Sequence, residues 1–142
     1  MPTIEDAIIF ATEAHRGQVD KAGNPYILHP LRLMCSQQND TERIIAVLHD
    51  VVEDTDYTLD DLRKMGYEED IVEAVDCLTR REDETYEEFI HRIKPNRLAR
   101  RVKLADLQDN MDIRRAGLLQ EKDLERLQRY QNAWFELAKD EK

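Results

Sequence analysis

Apolar residues recur at steps of three and four along nearly the whole chain, the period of helices that bury one face. Ile4, Ala7, Ile8 and Ala11 form the first stripe, on a helix predicted over about 3–15, with Thr3 as N-cap and Asp6 three residues on. Gly17 and Gly23 interrupt the pattern, so 16–25 is predicted as a loop. A second helix starts near Pro25-Tyr26 and carries Ile27, His29, Leu31 and Leu33; Pro30 fits it only in the first turn. The third runs over about 41–52. Thr58 with Asp61 opens a short fourth, stopped by Gly66. Ile71, Val72, Val75 and Leu78 mark a fifth over 69–79. Thr85 with Glu88 caps a sixth that buries Phe89, Ile90 and Ile93 and ends at Pro95. A long seventh covers about 96–115, with Leu98, Val102, Ala105, Leu107 and Met111. The last, over 123–139, carries Leu124, Leu127, Gln131, Trp134 and Ala138. Few segments alternate with period two. The expectation is an all-α, compact single domain of roughly six to eight helices over 1–142, with no repeat or linker.

Composition narrows the partners. A formal charge of −10 argues against a nucleic-acid-binding module, which needs a basic face to release counterions. A small anionic ligand stays possible, because a local basic rim acts within an acidic protein. With no charged-then-apolar leader and no apolar run of membrane length, a soluble, cytoplasmic protein without a membrane partner is expected. Cys35 and Cys77 are isolated and are read as reduced thiols, not zinc ligands.

The chemistry centres on His49-Asp50, inside the run Ile44-Ile45-Ala46-Val47-Leu48-His49-Asp50-Val51-Val52-Glu53-Asp54-Thr55. Burying an imidazole and a carboxylate without partners costs several kcal/mol, and a divalent cation satisfies both as ligands. Glu53 lies at i+4 from His49 and i+3 from Asp50, so it shares their face and is placed to take the proton of a water held there. Asp54 sits beside it. An ion-paired structural histidine is the alternative; the trailing acid pair and the residues below favour the metal. One helix cannot enclose an ion. His29, in Tyr26-Ile27-Leu28-His29-Pro30, and Asp106, in Val102-Lys103-Leu104-Ala105-Asp106-Leu107, are the best further ligands. Two histidines with two aspartates suit Mn²⁺ or Fe²⁺ and leave positions open for water and substrate. Asn110 and Lys103 extend a polar stripe around Asp106. Arg16, Gln18 and Lys21, in the glycine-containing loop, offer cations to an anionic ligand. Arg126 and Tyr130 stand one turn apart on the last helix.

These segments resemble the HD-domain metal-dependent phosphohydrolases, and among them the hydrolase domain of the RelA/SpoT family and its stand-alone small alarmone hydrolases. The matching stretches are His15-Arg16-Gly17-Gln18, Lys21-Ala22-Gly23-Asn24-Pro25-Tyr26-Ile27-Leu28-His29-Pro30, His49-Asp50-Val51-Val52-Glu53-Asp54-Thr55, and Val102-Lys103-Leu104-Ala105-Asp106 through Asn110. They span about 4–115, the expected metal-binding core, followed by the C-terminal helix. The resemblance implies one Mn²⁺ held by His29, His49, Asp50 and Asp106, with Fe²⁺ or Zn²⁺ as other candidates. It implies that Glu53 and Asp54 act on the attacking water, and that Lys21, Asn110, Arg126 and Tyr130 contact the nucleotide. The reaction implied is removal of the 3′-pyrophosphate of (p)ppGpp, the stringent-response nucleotide, without a synthetase domain. Two departures bear on the substrate. Asp20 stands where the family usually has arginine, and Ile113 where a polar residue is common. They leave open hydrolysis of another nucleotide, such as an NADPH phosphatase reaction, or a non-catalytic nucleotide-binding sensor. The oligomeric state is not legible.

Overall fold

The computed structural model describes residues 1–141. Within them lie nine α-helices and one short 3₁₀ turn: α1 (Ile4–Ala14), α2 (Leu28–Ser36), α3 (Asp40–Leu48), α4 (Val51–Asp54), α5 (Leu59–Lys64), α6 (Glu69–Leu78), α7 (Tyr86–Ile93), α8 (Arg97–Asn110), the 3₁₀ turn Ile113–Arg115, and α9 (Glu121–Ala138). The chain is all-helical, as its periodicity requires. One isolated antiparallel bridge, Val19 with Pro25, closes the base of the α1–α2 loop.

Local chemistry starts most of these helices. Thr3 with Asp6, Thr58 with Asp61 and Thr85 with Glu88 form reciprocal capping boxes, and at the start of α9 the Asp123 carboxylate accepts from the Gln120 amide. Asn39 and Asn96 cap α3 and α8 through single bonds to the amides of Glu42 and Ala99. Each such cap contributes about 1 kcal/mol. Pro30 is the third residue of α2, inside the first turn, where its missing N–H leaves no helical bond unmade.

Helix α3 is the centre of the molecule. Ile44 to Leu48 are all buried, and α1, α2, α6 and α8 pack around them. A buried Glu42 receives Arg101 at 2.8 Å and ties α3 to α8. Leu33, Leu62, Ile71, Ile93, Leu107 and Leu137 complete one continuous core.

Two predicted helices are divided. The helix expected over 41–52 stops at Leu48, turns through His49-Asp50, and restarts for a single turn as α4. At Asp50 the backbone leaves the helix (φ −106°, ψ 2°), so Asp50 and Glu53 no longer lie on the face extrapolated from α3. The helix expected over 96–115 ends at Asn110, and Asp112 caps the 3₁₀ turn instead, accepting from the Arg114 amide. These divisions split expected helices into shorter elements and leave the all-α, compact fold as expected. No helix among the described residues is long and apolar enough to cross a membrane.

Candidate metal centre and substrate cleft

Three separated parts of the fold bring four side chains to one place: His29 from α2, His49 and Asp50 from the α3–α4 turn, and Asp106 from α8. The His29 Nε2 lies 2.8 Å from Asp106 Oδ1. His49 Nε2 lies 3.0 Å from Asp50 Oδ2 and 3.6 Å from Asp106 Oδ1. Ligand atoms of His29, His49 and Asp50 all fall within 4.8 Å of one another. Two donors on one transition-metal ion, each at about 2.0–2.2 Å, are separated by about 4.4 Å at most, so a cluster confined within 4.8 Å is close to the size of a single-ion site.

The donor chemistry fits as well. His49 Nδ1 donates to the Ala46 carbonyl at 2.7 Å. Its Nε2 is buried, has no hydrogen-bond partner, and faces two carboxylates. A bare lone pair aimed at two anions is repulsive, so a positive charge belongs between them: a proton when no metal is present, or a cation. Burial by itself would lower the pKa of His49. The charges of Asp50 and Asp106 more than reverse that and hold it well above the ordinary histidine range. Asp106 is held far below the ordinary carboxylate range: burial opposes this, and Lys103, His29 and His49 overcome it. The spacing of His29, His49 and Asp50 therefore suits one divalent cation, with Asp106 beside both histidines as a further donor.

A second ring of contacts fixes these groups. The Tyr26 hydroxyl donates to Asp50 Oδ2. Asn110 Nδ2 donates to Asp106 Oδ1 at 3.1 Å. His29 Nδ1 meets Asp109 Oδ2 at 2.5 Å, and Arg32 and Arg115 both bind that carboxylate. Tyr26, Asp109 and Arg115 were not singled out from the sequence. Asp109 had one signal, its place one turn after Asp106 on the same helix.

Beside the centre lies a cleft of about 480 Å³, walled among others by Lys21, Glu53, Asn110, Arg115, Arg126 and Tyr130, a size that holds a small ligand. Glu53 anchors one oxygen on the Arg80 amide at 2.9 Å, which leaves the other free. It is accessible to water yet surrounded by protein on most sides, and that desolvation, with the Asp50 charge, raises its pKa. Desolvation with Asp50 and Glu53 pushes Asp54 to about 6. Gln18 donates to the Asp54 carbonyl and also meets His15 Nδ1, so the α1 end braces the acid pair.

Lys103 also lines the cleft, with its buried Nζ 2.8 Å from Asp106 Oδ2 and 5.1 Å from the Phe89 ring, so its charge is engaged with the centre. Arg16 points to solvent and pairs with Glu13 at 2.6 Å, away from the cleft wall. Arg126 lines the cleft but also binds Asp123 at 2.7 Å. Of the two departures, Asp20 accepts from the Ala22 and Asn24 amides at 2.9 Å, shaping the loop that carries Lys21, and its other oxygen lies 3.6 Å from Arg115. Ile113 is exposed on the 3₁₀ turn.

The helical architecture, with this His–Asp cluster at its middle, is the compact all-α fold that the periodicity predicts. Over about half of its length, the chain is similar in sequence to proteins of the RelA/SpoT type. A GTP pyrophosphokinase of Streptomyces coelicolor is 46% identical over 65 residues, which is 43% of this chain and 8% of that protein. A guanosine-3′,5′-bis(diphosphate) 3′-pyrophosphohydrolase of Aquifex aeolicus is 38% identical over 81 residues, 54% of this chain and 12% of that protein. The chain thus spans about a tenth of the length of the curated relatives it matches. A solved structure described as a metazoan ortholog of SpoT that hydrolyzes ppGpp superposes with a TM-score of 0.74 at 22% identity. The match covers 98% of this chain and 96% of that one, and it establishes a shared fold. No family model matches the chain.

Proposed function

We propose that this protein is a divalent-metal-dependent phosphohydrolase, with Mn²⁺ the leading cation, that removes the 3′-pyrophosphate of (p)ppGpp. The observation that carries the reading is the unpartnered His49 Nε2 facing Asp50 and Asp106, with the free oxygen of Glu53 in the adjoining cleft. His29, His49, Asp50 and Asp106 would hold the ion. A cation there supplies Lewis acidity, polarising a phosphoryl oxygen and making a nearby water easier to deprotonate. Glu53, desolvated and held at one oxygen, accepts the water proton. Asp54 keeps a second acid beside it, poised near 6 to pass that proton on. The water oxygen bonds to phosphorus as the bond to the ribose 3′ oxygen breaks, and that oxygen regains a proton. Lys21, at the cleft mouth, balances charge on the departing pyrophosphate, and Asn110, Arg126 and Tyr130 contact the nucleotide.

Hydrolysis of a different phosphorylated nucleotide is the second reading. It is favoured by Asp20, which puts a carboxylate on Arg115 at the cleft wall. Incubating the protein and Mn²⁺ with ppGpp, NADPH and ordinary nucleotides, with product identification, tests both. GDP and pyrophosphate from ppGpp are the expected products. Turnover of NADPH alone would replace the substrate but keep the class; binding of ppGpp without any product would favour a sensor.

A further inference from the structure

The two histidines of the centre are oriented by different devices. His49 Nδ1 is fixed by a backbone carbonyl, Ala46 O at 2.7 Å, which no side-chain substitution can remove. His29 Nδ1 is fixed by a side chain, Asp109 Oδ2 at 2.5 Å. A neutral imidazole has one N–H and one lone pair, and the acceptor opposite one nitrogen decides which is which. Nε2 also faces a carboxylate, Asp106 Oδ1 at 2.8 Å, so when a cation takes the Nε2 lone pair it is Asp109 that keeps the remaining proton on Nδ1.

Asp109 is itself held firmly. Arg32 grips it through Nε to Oδ1 at 2.8 Å and Nη2 to Oδ2 at 3.1 Å. Arg115 adds Nη1 to Oδ2 at 2.8 Å and also reaches the Asp109 carbonyl at 2.9 Å. Two guanidiniums balance the carboxylate and occupy its oxygens, and it meets His29 at Nδ1, the nitrogen opposite the one that faces Asp106, so Asp109 supports the ligand set without joining it. We infer that Asp109 is the positioning residue for His29, setting its tautomer and ring orientation for cation binding, with Arg32 and Arg115 holding it to that task.

The inference rests on the metal-centre reading above and is tested by direct Mn²⁺ titration, following the resonance of free Mn²⁺ by electron paramagnetic resonance. Asp109→Asn keeps the shape, loses the charge, and should bind Mn²⁺ about 10-fold more weakly; Asp109→Ala should lose about 100-fold. Glu84→Gln, which breaks the remote pair between Glu84 and Arg92, is the control for general destabilisation and should leave Mn²⁺ affinity unchanged. If wild-type protein takes up Mn²⁺ and Asp109→Asn matches it within twofold, Asp109 is only a structural ion pair and the inference fails alone. If wild-type protein takes up no Mn²⁺, the centre itself fails. Asp109→Asn is isosteric, so the comparison survives even where Asp109→Ala does not fold.

Discussion

Filling the centre with Mn²⁺ should expel protons. In the cation-free protein, burial would lower both ligand histidines, but their carboxylate partners win. His49 is raised by Asp50 and Asp106, and His29 by Asp106 and Asp109. To donate a lone pair to a metal, each imidazole must be neutral. Below their folded pKa values, each ion bound therefore displaces about two protons, and Mn²⁺ affinity rises by as much as about 100-fold per pH unit. The slope flattens once pH passes the raised values. Stability of the cation-free protein runs the opposite way. A histidine raised on folding contributes stability that is complete below its unfolded value of about 6.5 and is lost as pH climbs through the folded value, at about 1.4 kcal/mol for each pKa unit gained. Between about pH 6 and 8, the melting temperature without metal should fall while the increment produced by Mn²⁺ grows. Calorimetric titration in two buffers of different ionisation enthalpy counts the protons, and thermal melts with and without Mn²⁺ give the two slopes. Binding at pH 6.5 that releases no proton, or a cation-free melting temperature that climbs across this window, would refute the reasoning.

Other perturbations separate the roles of neighbouring groups. Glu53→Gln should cut hydrolysis by about 10²–10⁴-fold while Mn²⁺ still binds; loss of the ion would make Glu53 a ligand instead of a base. Lys103→Met strands Asp106 of its buried cation and should cost about 3–5 kcal/mol, or about 10 °C in melting temperature, partly recovered by Mn²⁺. A melting curve unchanged without metal would show the pair to be inert. Glu84, bound by Arg92 through two bonds at 2.6 and 2.9 Å, is lowered to about 2. Its stabilisation is present above about pH 4.5 and lost as pH falls toward 2, about 2 kcal/mol after screening; Glu84→Gln should flatten that part of an acid-unfolding curve.

What was readable in the chain was local. Thr3, Thr58 and Thr85 announce helix starts because cap and partner lie three residues apart, so sequence and geometry coincide. The chemistry of His29, His49, Asp50 and Asp106 was legible because charged groups in apolar runs demand partners, and the fold does bring them together. The turn at His49-Asp50 was hidden, since Val51 and Val52 prolong the hydrophobic run while the break is set by side-chain and tertiary contacts. The direction of Lys103 was hidden for a related reason: at i−3 from Asp106 it could face outward or inward, and only the buried carboxylate and the Phe89 ring decide. Asp109 escaped because its partner is 80 residues away in sequence.

The loop between α1 and α2 has a use that follows from how it is closed. Val19 pairs with Pro25 at its base, the Tyr26 amide bonds to Gln18 O at 2.9 Å, and the Asp20 amide bonds to Asn24 O at 2.8 Å. Both ends are thus clamped outside the helices, and the tip 20–24 forms a self-contained cassette on the cleft wall. Protein engineers can exchange the stretch 21–24, Lys21 included, to reshape one wall of the cleft, keeping Asp20 in place because its carboxylate reaches Arg115 and so the residues behind His29.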